Sequence, residues 1–299
     1  MGAARLLAGL VRVVPPTDLT AIVNVGDDVE LHGLHISPDL DTVTYTVAGS
    51  IDPERGWGLA GETWAAMEAL RRYPSATDWF NLGDQDLATH LFRTDRLRAG
   101  APLSQVTGEI AEAWALGLRL LPATDDRLRT RLTIEDGTEI GFQEYFVQRQ
   151  HSVPVTAVRF DGADAAQPAP GVLEALAAAT RVVIAPSNPL VSIAPVLAVP
   201  GLRDAVVARR ADTVAVSPII AGAALKGPAD RLLRELGHES TVVGVARLYA
   251  PLAATLVVDE ADADQIDAVE AEGIRCVVAP TIMRDATAAA ALGEVVLAA

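Results

Sequence analysis

Residues 20–28 read Thr20-Ala21-Ile22-Val23-Asn24-Val25-Gly26-Asp27-Asp28, a short β-branched run that stops at a polar loop holding one glycine and two acids. The pattern recurs along the chain. Arg181-Val182-Val183-Ile184 runs into Ala185-Pro186-Ser187-Asn188-Pro189, and Thr213-Val214-Ala215-Val216 into Ser217-Pro218-Ile219-Ile220-Ala221-Gly222. Thr255-Leu256-Val257-Val258 and Cys276-Val277-Val278 form a last pair, separated by an acidic, helix-compatible stretch. Short apolar strands alternating with helical stretches predict an α/β fold, a Rossmann-like and mostly parallel sheet covered on both faces. In such sheets ligands bind beyond the carboxyl ends of the strands, which is where these loops fall.

Between about residues 52 and 175 the pattern changes. Helical periodicity surrounds Thr63 to Arg72 and Gln105 to Leu120, and Leu132-Thr133-Ile134-Glu135-Asp136-Gly137-Thr138-Glu139-Ile140 carries an Asp-Gly step between alternating residues, a hairpin signal. We read 52–175 as a helical and β-hairpin insertion that caps the strand ends within one domain spanning 1–299. The Ala- and Pro-rich stretch from Gly162 to Ala179 begins as a linker and becomes a helix.

Half of the 299 residues are hydrophobic, enough for a sizeable core, yet Pro, Gly or charge interrupts every apolar run before membrane-spanning length. No basic segment leads into an uninterrupted apolar one at the amino end, so we expect a cytoplasmic protein without a membrane partner. The lone Cys276 excludes an internal disulfide framework and reads as a strand residue rather than a nucleophile. A net charge of −15 argues against a nucleic-acid partner. An anionic small ligand then needs a local exception. Lys226 is the only lysine in an otherwise arginine-based chain, which suggests a high-GC genome and a lysine kept for its chemistry.

Three constellations could carry that chemistry. The first joins Asn24-Val25-Gly26-Asp27-Asp28 to His35-Ile36-Ser37-Pro38-Asp39-Leu40-Asp41-Thr42-Val43, where grouped carboxylates could hold Mg²⁺ and so bridge phosphate oxygens. Helix capping by Ser37, Pro38 and Asp39 explains part of it equally well, but leaves Asp27, Asp28 and Asp41 without a role. In the second, Asn81-Leu82-Gly83-Asp84-Gln85-Asp86 precedes His90 and Arg93, with Asp84 expected to cap the helix on which Asp86 and His90 lie one turn apart. His90 there is a candidate base or phosphate ligand, or simply surface support. The third combines Pro186-Ser187-Asn188-Pro189, Ser217-Pro218-Ile219-Ile220 and Lys226-Gly227-Pro228, loops whose free N–H groups and lysine suit a phosphate, although ordinary turns use the same residues. Neither a Gly-x-Ser-x-Gly elbow nor a Walker lysine loop is present.

Taken in order, these segments, with Phe142-Gln143-Glu144-Tyr145 and Ser192-Ile193, resemble the 2-phospho-L-lactate transferase family of coenzyme F-420 biosynthesis over nearly the whole chain. The resemblance implies transfer of a phospholactyl or phosphoenolpyruvyl group from a guanosine diphospho donor to the ribityl hydroxyl of the deazaflavin Fo. GMP leaves, Mg²⁺ assists, and the protein is a homodimer. It implies Asp41, Asp39 and His90 as catalytic residues and Asp41, Asp27 and Asp28 as metal ligands. Asn81, Asp84, Arg93, Ser187, Asn188, Ser217 and Lys226 join Asp41 on the substrates, with Asn81 standing where the family often has a basic residue. Asp41→Asn is then expected to abolish turnover with little loss of folding. Family members open with a strand and a Gly-Gly-x-Gly-Gly loop, whereas Met1-Gly2-Ala3-Ala4-Arg5 begins inside that loop, so a first strand is expected to be missing from this chain. A non-catalytic sugar-nucleotide-binding regulator of the same superfamily is the competing expectation; it would lack the Ser-Pro-Asp-Leu-Asp-Thr-Val and Leu-Gly-Asp-x-Asp-Leu-Ala-Thr-His segments found here.

Overall fold

The computed structural model describes residues Met1–Ala299. The apolar runs become strands: β1 (Thr20–Val23), β2 (Val29–Leu31), β3 (Leu34–Ile36), β4 (Arg119–Pro122), β5 (Arg129–Ile134), β6 (Glu139–Gly141), β7 (Val155–Asp161), β8 (Val182–Ile184) and β9 (Thr213–Val216). A two-residue hairpin, β10 (Ile219–Ile220) and β11 (Ala223–Ala224), precedes β12 (Thr255–Val258) and β13 (Arg275–Val278). β8, β9, β12 and β13 form a parallel sheet in the order β13-β12-β9-β8. All four residues of β9 and of β12 are buried, as a strand covered on both faces requires.

A second parallel pair, β1 with β4, is not hydrogen-bonded to that sheet, yet Val23, Leu120 and Leu121 share one core with Val182, Ile184 and Leu256. The expected helix from Gln105 to Leu120 stops early. Helical residues run only through Leu103–Ala113, and Ala115 and Gly117 at φ 51 and 70° turn the chain into β4. Part of the stretch 52–175 therefore belongs to the parallel layers rather than to the cap.

The Asp-Gly hairpin forms as read. β5 pairs with β6 on one side and β7 on the other, burying Thr130, Leu132 and Ile134 while Arg129, Arg131 and Thr133 take the opposite face.

Five early helices complete the frame: α1 (Gly2–Leu10), α2 (Pro38–Val47), α3 (Ala65–Leu70), α4 (Asp86–Arg98) and α5 (Leu103–Ala113). α1 lies against the last helix, Ala286–Ala298, so closely that a Cβ on Gly9 would meet the Ala289 carbonyl oxygen at 2.2 Å. No single helix is long and apolar enough to cross a membrane.

Candidate active site

The parallel strands deliver their carboxyl ends to one cavity of about 660 Å³. Asp27 follows β1, Ser187 and Asn188 follow β8, Ser217 follows β9 and Thr281 follows β13. Asp39 and Asp41 enter from the start of α2, and Asp86 and His90 from α4. Phe142 and Phe146, stacked with centroids 5.6 Å apart, supply an apolar wall. The size and mixed lining suit a drug-sized organic ligand.

The loop after β1 is held by its own polar groups. Gly26 N–H donates to Asn24 Oδ1 at 2.8 Å, and Asn24 Nδ2 donates to Asp39 Oδ2 at 3.0 Å. Thr130 N–H donates to the Gly26 carbonyl at 2.7 Å, and a Cβ on Gly26 would fall 2.6 Å from Thr130 Oγ1, so only glycine permits this approach. Asp28 Oδ2 accepts from Ser37 Oγ at 2.9 Å and lies 2.8 Å from His35 Nε2. The expected capping by Ser37 is thus corrected: its hydroxyl fastens the loop to the start of α2, whose first turn is set by Pro38 instead.

Asp27 Oδ1 and Asp28 Oδ1 are buried with no hydrogen-bond partner. Burial first, and next the charge of Asp39, push the Asp27 carboxyl well above its ordinary value, and burial also raises Asp39. Orphaned carboxylate oxygens beside a repelling neighbour match the donors that a hard divalent cation takes. Asp27, whose orphaned oxygen lies in the field of the Asp39 charge, therefore offers a donor for Mg²⁺ with Asp39 beside it.

Asp41 belongs to a different cluster. Both its oxygens are engaged by Arg93, Nη1 at 3.1 Å to Oδ2 and Nη2 closer still to Oδ1, while His90 Nδ1 lies 3.7 Å from Oδ2. His90 Nε2 is 3.2 Å from Asp86 Oδ2, out of line for a hydrogen bond, and the Tyr45 hydroxyl donates to Asp86 Oδ1 at 2.5 Å. Burial works against both members of the ion pair: it pushes the Asp41 carboxyl up, whereas Arg93, despite burial, is held above its ordinary value by Asp41. The two-pronged contact decides for the ionic form, because neutral Asp41 would leave a buried guanidinium uncompensated. Burial, with Asp41 and Asp86 beside it, keeps Tyr45 protonated and a donor.

The metal set read from the sequence is divided accordingly. Asp27 and Asp28 stand with Asp39, while Asp41 stands with His90 and Asp86, whose ligand atoms lie within 4.8 Å of one another. There the Arg93 guanidinium already supplies the positive charge.

Two other expectations change. Arg93 is 1% exposed and supports Asp41 from behind, so it does not reach a donor phosphate. Asp84 lies outside the cavity and caps α3, accepting from Ala65 N–H at 2.9 Å, Ala66 N–H at 3.0 Å and the Thr63 hydroxyl. Glu62 takes the role expected of it, accepting from the N–H groups of Gln85 and Asp86 at the start of α4. The two carboxylates are exchanged between helices, a pairing that no local spacing reveals.

Asn81 sits exposed at the rim, its carbonyl 3.4 Å from Arg71 Nη2. Asn188 Oδ1 accepts from Leu190 N–H and Ser217 Oγ bonds back to Ile219, so both hydroxyl and amide shape their own turns. Lys226 lines the cavity and makes no ion pair. Sequence reasoning missed Tyr45, although it stands four residues after Asp41 on α2 and so shares its face.

Comparison with known proteins gives the chain a family. The family described as 2-phospho-L-lactate transferase CofD matches residues 1–289. A phosphoenolpyruvate transferase of Kitasatospora aureofaciens is 48% identical over 303 residues, covering 100% of this chain and 94% of that protein. The phosphoenolpyruvate transferase of Mycolicibacterium smegmatis is 44% identical over 306 residues, covering 98% and 94%. Among solved structures, a member of the UPF0052 family from Bacillus halodurans shares the fold, with a TM-score of 0.63, 17% identity and coverage of 99% and 96%.

Proposed function

The chain belongs to the 2-phospho-L-lactate transferase family and is a transferase, and from that premise we propose that it moves a phosphoenolpyruvyl group from a guanosine diphospho donor to the ribityl hydroxyl of deazaflavin Fo, with GMP as leaving group. The observation that carries this reading is the buried Asp27 carboxyl, with its orphaned oxygen and Asp39 beside it, in the lining of a cavity that also holds an unpaired lysine and an aromatic wall. The names of the similar transferases favour phosphoenolpyruvate over phospholactate as the acid.

Asp27 and Asp39 would hold Mg²⁺, which when bound neutralises charge on the phosphate oxygens. Transfer between oxygens then demands little beyond alignment and charge compensation. Asp39, raised by burial, accepts the proton of the attacking hydroxyl. Lys226 meets the departing phosphate as a point charge, and the Ser187 and Asn188 turn faces the nucleotide. Phe142 and Phe146 flank the deazaflavin ring. Asp41 is assigned to positioning: clamped by Arg93, it sets the face of α2 from which Asp39 projects.

Incubation with Fo, Mg²⁺ and each guanylylated acid, followed by chromatography for GMP, tests the reading. GMP should appear with the phosphoenolpyruvyl donor and be lost on adding EDTA. Absence of GMP with every donor overturns it.

A further inference from the structure

Beyond Asp27 lies a second cavity of about 370 Å³, lined by charged residues of both signs, Arg127, Arg129 and Arg131 together with Asp27, Asp28, Glu30 and Glu144. The two share Asp27, Trp79, Phe142 and Gln143. One wall of the second is the outward face of β5, where alternation puts Arg129 and Arg131 side by side, with Arg127 just before them. Across the strand pair, Arg131 stands opposite Arg159 on β7.

Four guanidinium groups on one face of a chain with net charge −15 call for counter-charges, and the structure distributes them unevenly. Glu139 binds Arg159 at 2.6 and 2.7 Å, and Asp161 bridges Arg159 at 3.1 Å and Arg127 at 2.9 Å. The two inner arginines have no carboxylate in ion-pair contact, although Asp28, Glu30 and Glu144 line the same cavity. Arg129 donates only to the Leu128 carbonyl at 2.7 Å, Arg131 has no polar partner, and neither has a carboxylate within ion-pair distance. Both are half-buried, and burial holds the Arg129 guanidinium below its ordinary value against the opposing charges of Asp28 and Glu30.

We propose that Arg129 and Arg131 form the subsite for the carboxylate of the acid group being transferred, on the far side of Asp27 from the nucleotide. The inference rests on the transferase reading above and adds the recognition of its donor. The planar forks of two adjacent arginines match a carboxylate in-plane. Arg129 and Arg131 line the same cavity as Asp27, the carboxylate offered to Mg²⁺ and one of the residues shared with the first cavity, so an acid bonded to the reacting phosphorus enters here. Specificity among three-carbon acids then depends on these arginines and not on the nucleotide side.

The test compares equilibrium binding of the guanylylated phosphoenolpyruvate donor with that of GDP, without deazaflavin, to wild-type protein, Arg129→Gln, Arg131→Gln and the control Arg159→Gln. Wild type is expected to bind the donor roughly ten- to hundred-fold tighter than GDP, the range for charge-assisted hydrogen bonds. Either inner substitution should bring the donor to the GDP level and leave GDP itself unchanged, while Arg159→Gln behaves as wild type. Equal weakening of GDP and donor assigns the arginines to the diphosphate and overturns the subsite, as does donor binding untouched by both substitutions. If wild type forms GMP and yet binds donor and GDP alike, the subsite alone fails; if it forms no GMP from any donor, the functional reading fails first.

Discussion

Asp41→Asn separates the two acidic clusters. The substitution removes the negative partner of a guanidinium that is 1% exposed and has no other carboxylate in contact, leaving Arg93 buried with its charge uncompensated. Breaking a buried ion pair in this way costs about 3–5 kcal/mol, a large share of a typical stability of roughly 5–15 kcal/mol. With an unfolding entropy of about 2.1 cal/mol/K per residue, each kcal/mol shifts the midpoint of a 299-residue chain by about 1.6 °C, so the melting temperature should fall by roughly 5–8 °C. Asp39→Asn is the contrast. It removes a carboxylate that raises Asp27 by repulsion, so it should melt within about 2 °C of wild type or above it, yet lose turnover. Differential scanning calorimetry and GMP formation on both variants read the two effects. The small folding loss expected for Asp41→Asn from sequence does not survive the Arg93 contact. If the variant melts with wild type, the ionic pair is not what holds α2 to α4.

Asp27 gives a pH dependence. Its folded-state pKa is raised above the ordinary 3.8, so the folded protein binds the proton more tightly, and the group contributes no penalty below 3.8. Stability should therefore fall as pH rises from about 3.8 through the raised value. Asp27→Asn should reduce this slope, to which the raised Asp39 also contributes, in urea titrations at a series of pH values; an unchanged slope assigns it elsewhere. Mg²⁺ at about a hundred times its Kd should add about 2.7 kcal/mol at pH 8 and less at pH 5, and nothing measurable in the Asp27→Asn, Asp39→Asn double variant. Gly83→Ala places a Cβ 2.0 Å from the Glu62 carboxylate and should cost about 1–2 kcal/mol by expelling the cap of α4. In a Glu62→Ala background the same change should cost little, because the cap is already gone; additive losses in that cycle would contradict the assignment. Lys226→Met should weaken donor binding about ten-fold with the melting temperature unchanged, since Lys226 has no ion pair to lose.

Much of the frame could be read from residues 20–28 and their later counterparts, because a strand buried on both faces must be apolar throughout and must end where polar loops begin. β1, β9 and β12 fall at the residues read for them, and the Asp-Gly hairpin fixes β5 and β6. β4 escaped notice because Arg119-Leu120-Leu121-Pro122 continues a helical pattern, and only the positive φ of Ala115 and Gly117 interrupts it. The candidate site was legible in part. Aspartates one or two residues apart, such as Asp39 and Asp41, look equivalent in a motif, but on a helix they point in different directions, one toward Asp27 and the other toward Arg93. The exchange of Glu62 and Asp84 between helices, and the unpaired arginines on β5, depend on which distant carboxylates arrive nearby, and no spacing encodes that.

The most direct test of the proposed reaction follows one atom. With heavy oxygen placed in the bridge between the two phosphorus atoms of the donor, attack by the deazaflavin hydroxyl on the acid-bearing phosphorus sends the label out with the leaving group. Mass spectrometry should find labelled GMP in amounts matching a deazaflavin product without label. Label retained in the deazaflavin product, or unlabelled GMP, would contradict the account.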